Sequence, residues 1–148
     1  MKTPLIISAC FLGHNVKYNG GNNLLSNIKE LEEYFELIPI CPETEGGLNT
    51  PRNPSEIIGD KVFSNIGEDV TSYFRKGASI ALERAIKSGA KLALLKSKSP
   101  SCGNGLIYDG AFSGNLTVGD GIATSLLKEH GIMVFTENEI EQLFQKIA

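Results

Sequence analysis

Three cysteines, Cys10, Cys41 and Cys102, are the residues of this 148-residue chain best suited to chemistry. Each lies at or just beyond the end of an apolar run. Leu5-Ile-Ile-Ser8 leads to Cys10, and Leu37-Ile-Pro-Ile40 leads to Cys41. Leu92-Ala-Leu-Leu95 leads to the polar stretch Lys96-Ser-Lys-Ser-Pro-Ser-Cys-Gly-Asn-Gly105, which holds Cys102. A lone free cysteine is often a small buried hydrophobe. Three at strand ends, with none inside a helical pattern, suit ligation better. They fit either a three-cysteine zinc site with an open position or an iron–sulfur cluster with one iron lacking a protein ligand. Thiolate softness does not choose between the two, and the compact Cys-x-x-Cys runs of ferredoxins are missing. A free iron would act as a Lewis acid toward a substrate atom.

The elements that must position these thiols follow from the apolar spacing. The runs ending at Ser8, Ile40 and Leu95 are short buried strands, and Ile132-Met-Val-Phe135 is a fourth. Pro39 puts the second strand at an edge or a strand end. Leu24, Leu25, Ile28, Leu31 and Phe35 recur at helical spacing. A longer helix is predicted from about Val70 to Ser88, capped by Asp69, stopped by Gly89, with Val70, Tyr73, Phe74, Ala78, Ala81, Leu82 and Ala85 as its apolar stripe. Asp120 is expected to cap a helix running to about Glu129, and Thr136 with Glu139 to form a capping box for the last one. Glu56-Ile-Ile58 and Lys61-Val-Phe63 flank Gly59-Asp60 as a hairpin. The segments 13–22, 42–54 and 108–119 are too rich in Gly, Asn and Pro for regular structure.

Strands alternating with helices imply a single-domain, Rossmann-like α/β fold, a mainly parallel doubly wound sheet with a small β-hairpin insertion. In such a sheet the strand C-termini share one edge, where ligands bind. Strand order alone therefore delivers all three thiols to one side.

Composition bounds the rest. The chain is 41% hydrophobic and 21% charged with a net charge of −3, which offers no electrostatic reason to bind long nucleic acid or an anionic membrane. No apolar run approaches the roughly 18 residues of a membrane span. Met1-Lys-Thr-Pro leads straight into a strand-like run with no secretory pattern, so a cytoplasmic protein is expected. An odd number of cysteines in a reducing compartment argues against a disulfide framework.

Several motifs together resemble one family. They are Ser8-Ala-Cys-Phe-Leu-Gly13, Tyr18-Asn-Gly20, Cys41-Pro-Glu43, Gly46-Gly-Leu-Asn-Thr-Pro-Arg52 and Lys96-Ser-Lys-Ser-Pro-Ser-Cys-Gly103. Pro54-Ser-Glu-Ile57, Gly67-Glu-Asp-Val-Thr71, Tyr108-Asp-Gly110 and Gly119-Asp-Gly121 fit as well. In this order, over nearly the whole chain, they resemble the bacterial thiouracil/thiouridine desulfidases. The resemblance implies a 4Fe–4S cluster on Cys10, Cys41 and Cys102. It also implies redox-neutral replacement of sulfur by water on a small thiopyrimidine (base, nucleoside or monophosphate).

An acid and a serine matching Glu43 and Ser101 would assist, with Glu45 and Ser99 as their rivals. Arg52 and Lys96 are candidates to steady the cluster charge or a substrate phosphate, and Gly103-Asn-Gly105 to form an anion nest. Asp109 is expected in a turn, with substrate contact as its other reading; His14 and His130 are expected at the surface or in turns. Val16, Lys17 and Asn19 depart from the family pattern, which has Cys, Arg and Asp there in many members; this bears on substrate preference. Two other readings stand beside this one: a three-cysteine zinc hydrolase and a non-enzymatic nucleotide-binding or sensing module. The second is weakened by the lack of a Gly-x-Gly-x-x-Gly after the first strand.

Overall fold

Four apolar strands set the frame of the computed structural model, which describes residues 2–147; Met1 and Ala148 lie outside the described residues. In chain order the elements are β1 (Thr3–Ser8), a 3-10 turn (Ala9–Leu12), α1 (Ile28–Tyr34), β2 (Phe35–Ile40), α2 (Pro42–Glu45), β3 (Ser55–Ile58) and β4 (Lys61–Ser64). Then come α3 (Thr71–Ser88), β5 (Leu92–Leu95), β6 (Leu106–Tyr108), β7 (Leu116–Val118), α4 (Ile122–Glu129), β8 (Met133–Thr136), a second 3-10 turn (Glu137–Glu139) and α5 (Ile140–Gln145).

The sheet has the order β2-β1-β5-β8, and every neighbouring pair is parallel. Leu5 lies opposite Leu37 and Leu92, and Ile6 opposite Ile38 and Ala93. Alternation along these strands feeds two cores. Leu5, Ile7, Leu94 and Phe135 pack with Leu31 of α1 and Leu143 of α5. Ile6, Ala93, Leu95 and Val134 pack with Ala81 and Ala85 of α3 and Leu127 of α4. Both sheet faces are thus covered by helices, which is why the strands are apolar runs with no polar alternation. Pro39 sits on the edge strand, as its missing N–H requires.

Several elements differ from the sequence expectation. Helix α1 starts only at Ile28, Leu24 is exposed, and Phe35 belongs to β2, where it enters the core beside Phe144. The expected Leu24-to-Phe35 stripe merged a loop, a short helix and a strand start. Tyr73 is exposed; the buried face of α3 uses Thr71 and Gly77 in its place. Asp69 precedes the helix, accepting from Thr71 N at 3.0 Å and from the Thr71 hydroxyl at 2.6 Å, while Val70 occupies the cap position. Segment 42–54 opens with the one-turn helix α2, its Pro42 in the first turn where no N–H is needed. Segment 106–118 forms a second antiparallel hairpin, β6 with β7. Its strands are three residues long and β7 is wholly exposed, so no periodicity announced it.

Asp120 does not cap α4. The amides that open that helix are taken by the loop after β5: Ile122 N donates to Pro100 O at 2.8 Å, Ala123 N to Ser101 O at 2.9 Å and Thr124 N to Ser101 O at 3.2 Å. These satisfy donors that every helix start leaves open. The Asp120 carboxylate instead accepts from Gly105 N and Lys128 Nζ.

Two glycines allow backbone to touch backbone. A Cβ on Gly77 of α3 would stand 1.8 Å from Pro42 O, and one on Gly121 would stand 2.4 Å from Ser101 C. The segments after β2 and β5 are thereby seated directly on α3 and α4. Gly77→Ala is expected to lower stability by about 1–3 kcal/mol through overpacking, opposite in sign to the gain of about 1 kcal/mol usual for this change in a helix interior. Urea unfolding of Gly77→Ala beside the exposed helix control Ser79→Ala, which should be near neutral, checks this.

Candidate functional site

The C-terminal ends of β1, β2 and β5 bring the three cysteines to one edge. Cys10 sits in the 3-10 turn directly after β1, Cys41 is the residue before α2, and Cys102 is buried in the loop seated on α4. All three are free thiols, Cys10 and Cys102 buried and Cys41 partly exposed. Burial pushes the Cys102 thiol up to about 12; the Ser101 hydroxyl eases this, and the charges of Glu43, Cys41 and Cys10 add to it. Cys10 is also raised, first by burial and then by Cys41, against lowering by an Asn23 hydrogen bond and by Lys96. The thiols and Glu43 therefore act on one another at short range. Three soft, free sulfur donors converging in a space short of positive charge form a donor set suited to an iron–sulfur group.

Beside the thiols runs a chain of hydrogen bonds. Ser101 Oγ donates to Glu43 Oε2 at 2.9 Å, and Arg52 Nε donates to Glu43 Oε1 at 3.1 Å. Ser99 Oγ lies 3.2 Å from Ser101 Oγ and accepts from Cys102 N at 2.7 Å. One carboxylate, two hydroxyls and the Cys102 amide are thus linked. Glu45, the rival acid, is committed elsewhere: its Oε1 accepts from Cys41 N at 2.8 Å, and its Oε2 pairs with Arg84. Only Glu43 of the two faces Ser101.

A model of the 2-thiouracil desulfurase family matches residues 5–139. The chain belongs to this family. It is 38% identical over 149 residues to the uncharacterized protein YbbK of Bacillus subtilis (strain 168), covering 94% of this chain and 99% of that protein. Among solved structures it is similar to the [4Fe-4S]-dependent thiouracil desulfidase TudS, with 41% identity, a TM-score of 0.93, and coverage of 99% of this chain and 98% of that one.

Set against this desulfurase framework, several residues expected to bind substrate are engaged within the protein. Lys96 Nζ pairs with Glu137 Oε2, and Glu137 also accepts from Ser97 N at 2.9 Å and Ser97 Oγ at 3.0 Å. Arg52 spends its guanidinium on Glu43 and on loop carbonyls. The expected anion nest is filled, since Gly103 N donates to Ser99 O at 2.9 Å and Gly105 N to Asp120 Oδ1 at 2.8 Å. Gly103 is needed for space, because a Cβ there would meet Ser99 O and Ile107 Cγ2 at 2.8 Å. Asp109 is exposed and closes a turn by accepting from Ala111 N at 2.9 Å. His14 and His130 are exposed, the latter with Nδ1 on Leu126 O.

Sequence reasoning missed two residues. Asn23 clips onto the first cysteine, its Nδ2 donating to Cys10 Sγ at 3.3 Å and its main-chain N to Cys10 O at 2.9 Å. It stood in a Gly/Asn-rich stretch that announced only turns. Glu137 was visible only as a residue near the capping box. Burial alone would raise its carboxyl, but the Lys96 ammonium and the Ser97 amide hold it below the usual glutamate range. A depressed carboxyl stabilises the fold above its unfolded pKa, about 4.3 for glutamate, and loses that contribution as pH falls through the folded value. Glu137→Gln is therefore expected to lower the urea midpoint at neutral pH and to converge with the wild type in acid. Unfolding curves across that range provide the check.

Proposed function

We propose that this chain converts a small thiolated pyrimidine to its oxo form, using a 4Fe–4S cluster held by Cys10, Cys41 and Cys102. The observation that carries the reading is the Glu43–Ser101 pair set directly beside three free thiols. Membership of the 2-thiouracil desulfurase family and likeness to TudS support it. Bound there, a cluster with three protein ligands keeps one iron free and supplies Lewis acidity toward a thiocarbonyl sulfur.

The chain's own residues supply the rest. Water adds to the ring carbon and sulfur departs as sulfide, so one carbon–sulfur bond is replaced by one carbon–oxygen bond with no net electron transfer. The water must lose a proton, and Glu43 Oε2, held by Ser101 and partly buried, is the acceptor placed to take it. Ser101 orients the attacking water or the ring by its hydroxyl, and Ser99 holds Ser101 in line. Seating of the Cys41 and Cys102 segments on helices keeps these groups in register, which matters because misplacement by about 1 Å can cost about 100-fold in rate. Lys96 and Arg52, the cations the sequence offered for a phosphate, are both paired internally, and this supports thiouracil itself as the substrate ahead of a nucleotide.

The zinc alternative fares less well. One zinc about 2.3 Å from each thiolate needs its sulfurs within about 4 Å of one another. Among the described residues no group of three His, Cys, Asp or Glu is placed to hold a single ion.

Anaerobic reconstitution with iron and sulfide should give a protein that carries iron and acid-labile sulfide and releases sulfide from 2- or 4-thiouracil. Cys10→Ser, Cys41→Ser and Cys102→Ser should each abolish both properties. Sulfide release by the triple variant, or one zinc with no labile sulfide in active protein, would sink the reading. Glu43→Gln should retain the cluster while losing about 100- to 10,000-fold in kcat, the span typical of a general base.

A further inference from the structure

A guanidinium beside a small-molecule site usually faces the ligand. Arg52 does the opposite. Its side chain is only 8% exposed, and its nitrogens point into the protein. Nε donates to Glu43 Oε1 at 3.1 Å, Nη1 to Asn49 O at 3.3 Å and Thr50 Oγ1 at 3.0 Å, and Nη2 to Val16 O at 2.8 Å. The main-chain N of Arg52 donates to Tyr18 O at 2.8 Å. A guanidinium has five N–H groups, so these side-chain contacts leave at most one for a ligand.

The contacts have a pattern. Val16 and Tyr18 lie in the loop that follows Cys10, while Asn49 and Thr50 lie in the segment that follows Cys41. Arg52 straps the two together and lays its charge on the Glu43 oxygen that Ser101 does not use. A glutamate side chain has several rotatable bonds, and a carboxylate gripped at one oxygen presents the other in a fixed direction. The guanidinium is itself fixed by three further acceptors, so the grip is rigid.

We propose that Arg52 is a positioning residue for Glu43, acting on the desulfuration only through that carboxylate and not by contact with substrate. The inference rests on the function proposed above. Substitution at Arg52 should therefore lower kcat and leave KM and cluster content near the wild-type values. Removing Glu43 first should abolish any further effect of Arg52.

The test uses reconstituted holoenzyme assayed on 2-thiouracil, with iron and labile sulfide counted for every variant. Arg52→Met is expected to lose about 10- to 100-fold in kcat per cluster, with KM changed less than about 3-fold. Arg52→Lys, which keeps the charge on Glu43 with fewer strap contacts, should recover part of the loss and guards against a misfolded Met variant. On a Glu43→Gln background, Arg52→Met should cost nothing more. A crystal structure of Arg52→Met gives a readout independent of turnover: Glu43 Oε2 should leave hydrogen-bond distance of Ser101 Oγ while the cysteine segments stay in place. A raised KM with kcat kept, a loss that adds in full to that of Glu43→Gln, or a Glu43–Ser101 bond still intact in Arg52→Met would each overturn the proposal. A wild type that turns over no thiouracil would instead overturn the functional reading, leaving the crystallographic comparison to decide the positioning role.

Discussion

Main-chain contact between loops and helices is the constraint on which this structure turns. The Cys102 loop supplies carbonyls to the opening amides of α4, and the segment after Cys41 lies against α3 with no side chain between them. Each contact satisfies two demands. It completes hydrogen bonds that a helix start or a buried loop would otherwise leave unmade. It also fixes loops that their own composition would leave mobile. The thiols sit on rigid elements because of it, although none lies in the interior of an α-helix or strand.

The polar groups around the thiols form a closed set. Glu43 is shared between Arg52 and Ser101, Ser99 joins Ser101 to the Cys102 amide, and Glu137 gathers Lys96 with Ser97. Among the described residues no buried side-chain nitrogen or oxygen lacks a partner. Such networks hold geometry well when complete and fail badly when one member is lost. The charge balance is uneven in an informative way. Lys96 and Arg52 are each matched by a carboxylate, whereas the buried thiols are matched by little beyond one Asn23 contact and the field of Lys96. That imbalance suits a positively charged inorganic partner at the sulfurs.

Much of the fold was legible in the chain itself. The four central strands, the edge position of Pro39, the first hairpin, the Gly89 stop and the Thr136–Glu139 capping box all rest on local rules of period, turn chemistry and capping. The second hairpin was not legible, because three-residue strands carry no readable alternation. Nor was the true start of α4, because its cap is a loop about twenty positions upstream in sequence and not the neighbouring Asp120.

The site divides the same way. Residue types and strand order were enough to bring Cys10, Cys41 and Cys102 to one edge and to nominate Glu43 and Ser101, since a parallel sheet delivers its strand ends together whatever the side chains do. Only the tertiary structure separated Glu43 from Glu45, turned Lys96 and Arg52 inward, filled the glycine amides and revealed Asn23 and Glu137. The physical reason is range. Period, caps and turns are set by neighbours along the chain, whereas the partner of a charged side chain is chosen among groups tens of residues away that meet only once the sheet has formed.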